Sequence, residues 1–349
     1  MLVKTLKLND YRNYTNFSIE FNPNLNIIIG NNGVGKTNIL ESIIVVSNAK
    51  SFRTLNDQDL IKKSKEYLKI DLQSDTNNYK VVINSKNKSL YIDDNLAKRS
   101  SDYIGKLNAI LFKPSDLEIY TDSPSERRKV LDLEIGKVNN NYLRALLQYN
   151  SLLKDKNKLL KELEIDETLL NVIEESMIPN IKIIIKEREK FIETVNKYIS
   201  DYYSDIAGNK HKIEIKYKKC CEIDNVEEMM MTSKTKDQYY HYSTFGPHHD
   251  DYYFTIDDYN INSIASQGQR RIVLIAFKFA LIKYIEQNAN ITPILLLDDI
   301  LSELDKDNQE RLLKILPENT QVIITNTDIK NINIDKDYKL IELKEEQYV

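Results

Sequence analysis

The sequence predicts an α/β nucleotide-binding domain interrupted by a mostly helical insertion, and three observations carry that prediction. First, the apolar run Leu25 to Ile29 leads into Gly30-Asn31-Asn32-Gly33-Val34-Gly35-Lys36-Thr37 and then a helix-like segment from Asn38 to Val46. Second, the apolar run Ile294 to Leu297 ends in the acid pair Asp298-Asp299. Third, the middle of the chain changes character after Pro114 and Pro124, with leucines recurring at helical spacing among many lysines.

The glycine-rich stretch has the spacing G-x-x-x-x-G-K-T. Its glycines let backbone N–H groups converge on a phosphate, the lysine reaches the outer phosphates, and the threonine hydroxyl ligates Mg²⁺. The following helix adds a partial positive charge at its N-terminus. Three of only 8 glycines in 349 residues lie here, which argues against a chance turn.

Composition narrows the class. Two adjacent cysteines, Cys220 and Cys221, supply neither a disulfide framework nor a zinc spacing. Met1 to Leu8 is too short and too charged for a signal peptide, and no later apolar run reaches the roughly 20 residues of a membrane span. We therefore expect a soluble cytoplasmic protein with no membrane partner. A net charge of −4 excludes a globally basic nucleic-acid binder and leaves DNA contact to local patches.

Taken in order, Leu6, Leu8, Phe17, Ile19 and Phe21 alternate about the polar turn Asn9 to Tyr14, predicting a hairpin. After the phosphate loop and its helix, short strands are expected at Leu68 to Leu72, Tyr79 to Ile83, Leu90 to Ile92 and Leu107 to Phe112, forming an antiparallel sheet beside the nucleotide. Leu143 to Leu163 predicts one helix, and Ile181 to Tyr202, beyond Pro179, a second whose apolar seam is interrupted only by Arg188. Together they would form a lid or short arm. A strand is expected at Ile213 to Tyr217, followed by an acidic stretch with Met229, Met230 and Met231 as packing residues. Tyr239-Tyr240-His241-Tyr242 reads as sheet packing in preference to a base-stacking surface. A strand at Tyr252 to Ile256, a helix from Gln269 to Ile285 and strands at Ile294 to Leu297 and Gln321 to Thr325 complete the chain. The domain boundaries expected are 1–120 plus 240–349 for the ATPase head and 121–239 for the helical domain.

The late motifs choose among phosphate-loop enzymes. Asp298 at a strand end is placed to hold Mg²⁺, and Asp299 to position an attacking water; otherwise the pair merely begins a turn. Ala265-Ser266-Gln267-Gly268-Gln269-Arg270 opens a helix with a hydroxyl and a glycine amide, a second phosphate-binding surface. Two such surfaces point to a nucleotide sandwiched between two subunits. Signature helix, apolar strand, acid pair and Ser302-Glu303-Leu304-Asp305 follow the order of ABC-type ATPases, so the fold class is an ABC-type P-loop head with the helical insertion.

The sequence resembles the RecF family, relatives of the SMC and Rad50 ATPases, over nearly its whole length. The matching residues are Tyr11-Arg12-Asn13-Tyr14, Gly30 to Asn38 with Leu40-Glu41, Ser51-Phe52-Arg53-Thr54, Phe112 to Asp116, Ser123 to Arg128 with Leu131-Asp132, Gly246 to Asp251, Ser266 to Arg270 and Leu297 to Asp305. The resemblance implies an ATP-dependent homodimer that binds DNA at single-strand gaps, works with RecO and RecR to load recombinase, and serves replication restart and the SOS response at the nucleoid. It implies that Gly30, Asn31, Asn32, Gly33, Val34, Gly35, Lys36, Thr37 and Asn38 bind ATP, that Ser266 and Gly268 cap the γ-phosphate held by the opposite subunit, and that Arg12 lies near the nucleotide.

Transporter-type ABC domains carry a glutamate where Asp299 stands and a histidine after the last strand, where this chain has Thr325-Asn326-Thr327. Slow hydrolysis is the expectation, with a hydrolysis-free clamp and a transporter motor subunit as alternatives. His249 replaces an arginine usual in the family. For DNA the candidates are Arg127, Arg128, Lys154, Lys156, Lys158 and Lys161, with Lys182, Lys186 and Lys190.

Overall fold

The computed structural model describes residues 1–329 and 334–344. Along the chain run β1 (Val3–Tyr11), β2 (Tyr14–Glu20), β3 (Leu25–Ile29), α1 (Lys36–Asn48), β4 (Tyr67–Ser74), β5 (Asn78–Asn84), β6 (Lys88–Ile92), β7 (Asn95–Leu96), α2 (Ser100–Tyr103) and β8 (Ala109–Phe112). Then come α3 (Pro124–Val138), α4 (Asn140–Leu159), α5 (Glu167–Asn196), α6 (Ile199–Ala207), β9 (Ile213–Lys218), α7 (Val226–Tyr240), β10 (Asp251–Ile256), β11 (Tyr259–Asn260) and α8 (Ile261–Ile264). The last elements are α9 (Gln267–Ala289), β12 (Ile294–Asp298), α10 (Lys306–Ile315), β13 (Val322–Asn326) and β14 (Tyr338–Glu342). They group into two compact units: 1–117 with 201–210 and 266–349, and 118–200 with 211–265. Residues 240–265 thus fall with the helical unit and not with the head, because β10 there pairs along its whole length with β9.

In the first unit two sheets enclose one helix. The antiparallel sheet has the order β2-β1-β4-β5-β6-β7, and the parallel sheet the order β14-β3-β13-β12-β8. α1 runs between them with Ile39, Leu40, Ile43, Ile44, Val45 and Val46 all buried, so the helix is apolar on every side that meets a sheet. The central strands of the parallel sheet are correspondingly rich in apolar residues, and β12 and β13 are buried at every position. β14, absent from the strands expected from the sequence, extends this sheet by pairing in parallel with β3.

In the second unit α4 and α5 form the expected helical pair, but α5 starts at Glu167 and carries Pro179 in its interior. Asp166 caps it by accepting hydrogen bonds from the amides of Thr168 and Leu169. The seam Leu170, Ile173, Met177, Ile181 and Ile184 continues through the proline, and burial of that seam outweighs the one lost backbone bond. Arg188, the break in the seam, is buried and ion-paired: its Nη2 lies 2.8 Å from Asp132 and its Nη1 2.7 Å from Asp250. Nη1 also donates to the Pro247 carbonyl at 2.8 Å, and Tyr142 and Tyr217 donate to the same two carboxylates.

The segment read as an acidic stretch is largely helix α7, begun with Glu227 and Glu228 in its first turn. Of the three methionines only Met230 is buried; Met231 is exposed. Among the described residues no helix is long and apolar enough to cross a membrane.

Removing the guanidinium at Arg188 would leave the buried Asp250 and the half-buried Asp132 carboxylates uncompensated. Arg188→Leu should lower the unfolding free energy of the full chain by about 3–5 kcal/mol in urea titration; a loss below about 1 kcal/mol would mean that the pairs are not the organising contact of this unit.

Candidate nucleotide site

Backbone geometry explains the glycines of the phosphate loop. Gly33 and Gly35 have φ of 87° and 105°, conformations that L side chains rarely adopt. A Cβ on Gly35 would also lie 2.6 Å from the Tyr14 hydroxyl and 2.9 Å from Asn13 Nδ2. The turn Tyr11 to Tyr14 therefore abuts the loop directly: Asn13 donates to the Val34 carbonyl at 3.4 Å, and its Oδ1 accepts from Asn38 at 2.7 Å.

Gly35 caps α1, so Lys36 and Thr37 occupy its first turn. Lys36 Nζ donates to the carbonyls of Gly30 at 2.6 Å and Asn31 at 3.0 Å, arching over its own loop. Burial lowers the lysine's pKa, an effect opposed by the charges of Asp299 and Asp298. Thr37 Oγ1 lies 3.1 and 3.0 Å from the two carboxylate oxygens of Asp298, and Thr325 Oγ1 donates to Asp298 Oδ1 at 2.7 Å. Burial raises the pKa of Asp298, the two threonine hydrogen bonds pull it down, and Asp299 pushes it up again. Asp299 sits at φ 51°. Its amide is held by the Thr325 carbonyl and hydroxyl, each at 3.1 Å, and its Oδ1 is buried with no hydrogen-bond partner among the described residues.

A cleft of about 300 Å³ is lined by Asn32, Gly33, Gly35, Lys36, Thr37, Asn38, Arg53, Asp298 and Asp299. Loop amides and a lysine face an acid pair across it, which is the constellation phosphoryl binding needs. The hydroxyl of Thr37 and the carboxylate of Asp298 converge as hard oxygen donors suited to a Mg²⁺ ion, and the orphaned Asp299 oxygen borders the same space. Gly30, Asn31 and Val34 border a neighbouring cleft with Thr327 and Glu342.

Arg12 does not line the nucleotide cleft. At φ 53° it turns its guanidinium onto the fully buried Glu41, bonding Oε2 at 2.9 Å and Oε1 at 2.7 Å, and onto the Asp59 carbonyl at 2.9 Å. Arg53 is the arginine that faces the cleft, held by Asn38 Oδ1 at 2.7 Å and lying 3.6 Å from Glu41. The sequence motif Ser51 to Thr54 marked this residue without a role. Its side chain is 45% exposed, so it remains free to reorient toward a bound anion.

Ser266 caps α9 in a capping box with Gln269, and Ser266, Gln267 and Gly268 are all exposed. Its Oγ accepts from the Gln269 amide at 3.2 Å, leaving the hydroxyl proton available to donate. Neither Ser266 nor Gly268 lines the nucleotide cleft. Arg271 fastens this helix to the turn after β12 through an ion pair with Glu303 and a 3.0 Å bond to the Glu303 carbonyl, while Ser302 donates to the Asp299 carbonyl at 2.8 Å. Acid pair and signature helix are thereby mechanically joined.

Several DNA candidates are engaged elsewhere. Lys156 is completely buried between Glu174 and Asp237, 2.8 Å from each, and cannot meet a phosphate. Arg127 makes a two-pronged contact with Asp251, and Arg128 donates to the Asp250 carbonyl at 2.6 Å. Lys154 and Lys158 stay exposed. The histidine and aspartate run is dispersed: His248 bonds Tyr149 and the Ser243 carbonyl, with burial lowering its pKa to about 4, while Asp250 and Asp251 serve Arg188 and Arg127.

A phosphate loop after β3, an acid pair at the end of β12 one strand removed from it, and an exposed serine-capped helix, set in a parallel sheet beside an antiparallel one, define an ABC-type ATPase head. The chain matches the family described as RecF/RecN/SMC N terminal domain over residues 2–347. It is 36% identical to the DNA replication and repair protein RecF of Oenococcus oeni, covering 99% of this chain and 98% of that one, and 37% identical to the RecF of Streptococcus gordonii over 98% of each. The chain belongs to the RecF family of DNA replication and repair proteins. Among solved structures it is similar to the recombination mediator protein RecF-ATP in the RecFOR pathway, with a TM-score of 0.89 at 29% identity over 99% of this chain and 96% of that one. The corresponding RecF-ATPrS structure gives 0.87 at 30%, over 98% of this chain and 96% of that one. The Smc head domain from Pyrococcus furiosus, with a TM-score of 0.56 at 18% identity, covering 94% of this chain and 90% of that one, shares the fold.

Gly35→Ala should weaken triphosphate binding about tenfold or more, since strain of roughly 1–3 kcal/mol falls on the loop itself. Titration with a fluorescent nucleotide checks this; wild-type affinity in the variant would show that the left-handed loop is not required.

Proposed function

We propose that this chain is an ATP-gated DNA-binding protein of recombinational repair and replication restart, in which two copies close on ATP and retain DNA at single-strand gaps. The observation that carries the reading is the separation within the head of the nucleotide cleft from Ser266 and Gly268, which stand exposed and border no part of that cleft. A hydroxyl and an open amide at a helix N-terminus suit a γ-phosphate, and only a second copy would bring one to them. The solved relatives described with ATP support the choice of nucleotide.

On this reading Lys36 exchanges the carbonyls of Gly30 and Asn31 for the β- and γ-phosphates. Thr37 and Asp298 hold Mg²⁺, which supplies charge neutralisation of the phosphates when bound. Asp299 orients the attacking water, its unpartnered oxygen being the available acceptor. Ser266 and Gly268 complete the site from the other subunit. Thr325-Asn326-Thr327 offers no histidine and Asp299 is one methylene shorter than glutamate, so hydrolysis is slow and serves as a reset. The RecFOR description of the solved relatives supports RecR- and RecO-like mediators as partners; recombinase loading as the output and a cytoplasmic, nucleoid-associated location are part of the same proposal.

Sedimentation of the wild type should show a dimer with Mg-ATP, and Asp299→Asn should prolong its lifetime on gapped duplex. Ser266→Arg should bind ATP normally yet remain monomeric. An ATP-dependent dimer of Ser266→Arg would overturn the shared-site reading.

A further inference from the structure

Three tyrosines at the end of α7 have no packing role that accounts for them. Tyr239, Tyr240 and Tyr242 are 75%, 48% and 47% exposed, contrary to the sheet packing read from the sequence. Their rings nevertheless touch each other: Tyr239 and Tyr240 lie 5.0 Å apart between centroids, edge to face, and Tyr240 and Tyr242 lie 5.9 Å apart. The cluster is built. His241 adopts φ 58° at the C-cap, which ends the helix and turns Tyr242 back beside Tyr240. His241 Nδ1 is held at 2.8 Å from the Leu160 carbonyl, and the Ser243 amide donates to Asn157 Oδ1 at 2.7 Å. Beneath, the buried Lys156 pairs with Asp237 one turn before the tyrosines. The rings are thus presented on a fixed turn anchored to the end of α4.

The same end of α4 carries Lys154 and Lys158, spaced at i and i+4 and therefore on one face, and Lys161 follows in the turn just after the helix. All three are exposed, and among the described residues none forms an ion pair. Glu162 and Glu164 follow and end the basic stripe. Exposed π-faces beside a short track of unpaired ammonium groups match what unpaired nucleotides require: a surface for the bases and cations for the backbone. A duplex hides its base faces and would gain only the lysines.

We propose that Tyr239, Tyr240 and Tyr242, with Lys154, Lys158 and Lys161, form a binding site for single-stranded nucleic acid in which bases stack on the tyrosines. This rests on the DNA-binding reading above and adds to it a residue-level preference for the unpaired strand.

The test is titration of the full-length protein, without nucleotide, against fluorescent oligothymidylate and against a blunt duplex at one salt concentration. Tyr239→Ala/Tyr240→Ala should weaken oligothymidylate binding about tenfold or more and leave duplex binding unchanged, while Tyr239→Phe/Tyr240→Phe keeps wild-type affinity. Lys158→Ala/Lys161→Ala should reduce the slope of log affinity against log salt for the oligothymidylate by about 0.7 for each lysine removed. Unchanged oligothymidylate binding in the alanine variant would overturn the proposal, as would an equal loss for both DNAs. It would also fall if that variant kept oligothymidylate binding but lost binding of a RecR-like protein, which would make the patch a protein-docking surface. Wild type that binds neither DNA would overturn this site and the DNA-binding function together, whereas wild type that binds DNA but fails to dimerise with ATP would count against the dimer alone.

Discussion

The head is organised around one buried carboxylate. Asp298 is clasped between the hydroxyls of Thr37, from the first turn of α1, and Thr325, from β13, so three elements far apart in sequence meet at a single charged group. Sheet order makes this possible: β13 lies between β3 and β12, which brings the phosphate loop and the acid pair to the same carboxyl edge of parallel strands. A buried acid held this way would relax by protonating unless hydrogen bonds and a nearby cation favoured its charged form. The threonines supply part of that preference, and a divalent ion, which Asp298 and Thr37 would hold, would supply the rest. Asp299 then occupies a left-handed conformation that its neighbour's placement imposes, its amide satisfied by Thr325 and its side chain left facing the cleft.

The helical unit uses buried charge differently. Arg188 draws in Asp132, Asp250 and the carbonyl of Pro247, collecting residues from α3, α5 and the segment before β10. Lys156 does the same for Glu174 and Asp237. Buried pairs of this kind contribute little net stability compared with apolar packing, but each partner penalises any arrangement that leaves the other alone. They therefore fix how α4, α5 and α7 meet, and with that the placement of the tyrosine turn on α4.

Much of this was legible in the sequence, for physical reasons. Strands buried on both faces read as predominantly apolar runs, which located β3, β12 and β13. The phosphate loop was recognisable because its geometry tolerates almost nothing but glycine at positions 33 and 35. Other features depend on tertiary context that spacing does not carry. Pro179 reads as a helix boundary, yet a seam of buried residues on either side holds α5 continuous. Tyrosine's preference for strands misdirected the reading of residues 239–242, where the acidic first turn of α7 and the left-handed His241 decide the local structure. β14 has too little alternation to announce itself and exists by pairing with β3. Within the site, charge alone could not separate arginines: Arg12 is committed to Glu41, Arg53 faces the cleft, and Lys156, a basic residue in a lysine-rich helix, is buried.

Whether the phosphate loop of one copy is completed by the signature helix of another is tested most directly by complementation. Lys36→Ala lacks a working loop but keeps its signature helix, and Ser266→Arg has the reverse defect. Sedimentation of each alone and of an equal mixture, with Mg-ATP, should give monomers for each and a dimer only in the mixture, where one composite site is intact. Failure of the mixture to dimerise while the wild type does so would contradict a site shared between subunits, as would dimerisation of either variant alone.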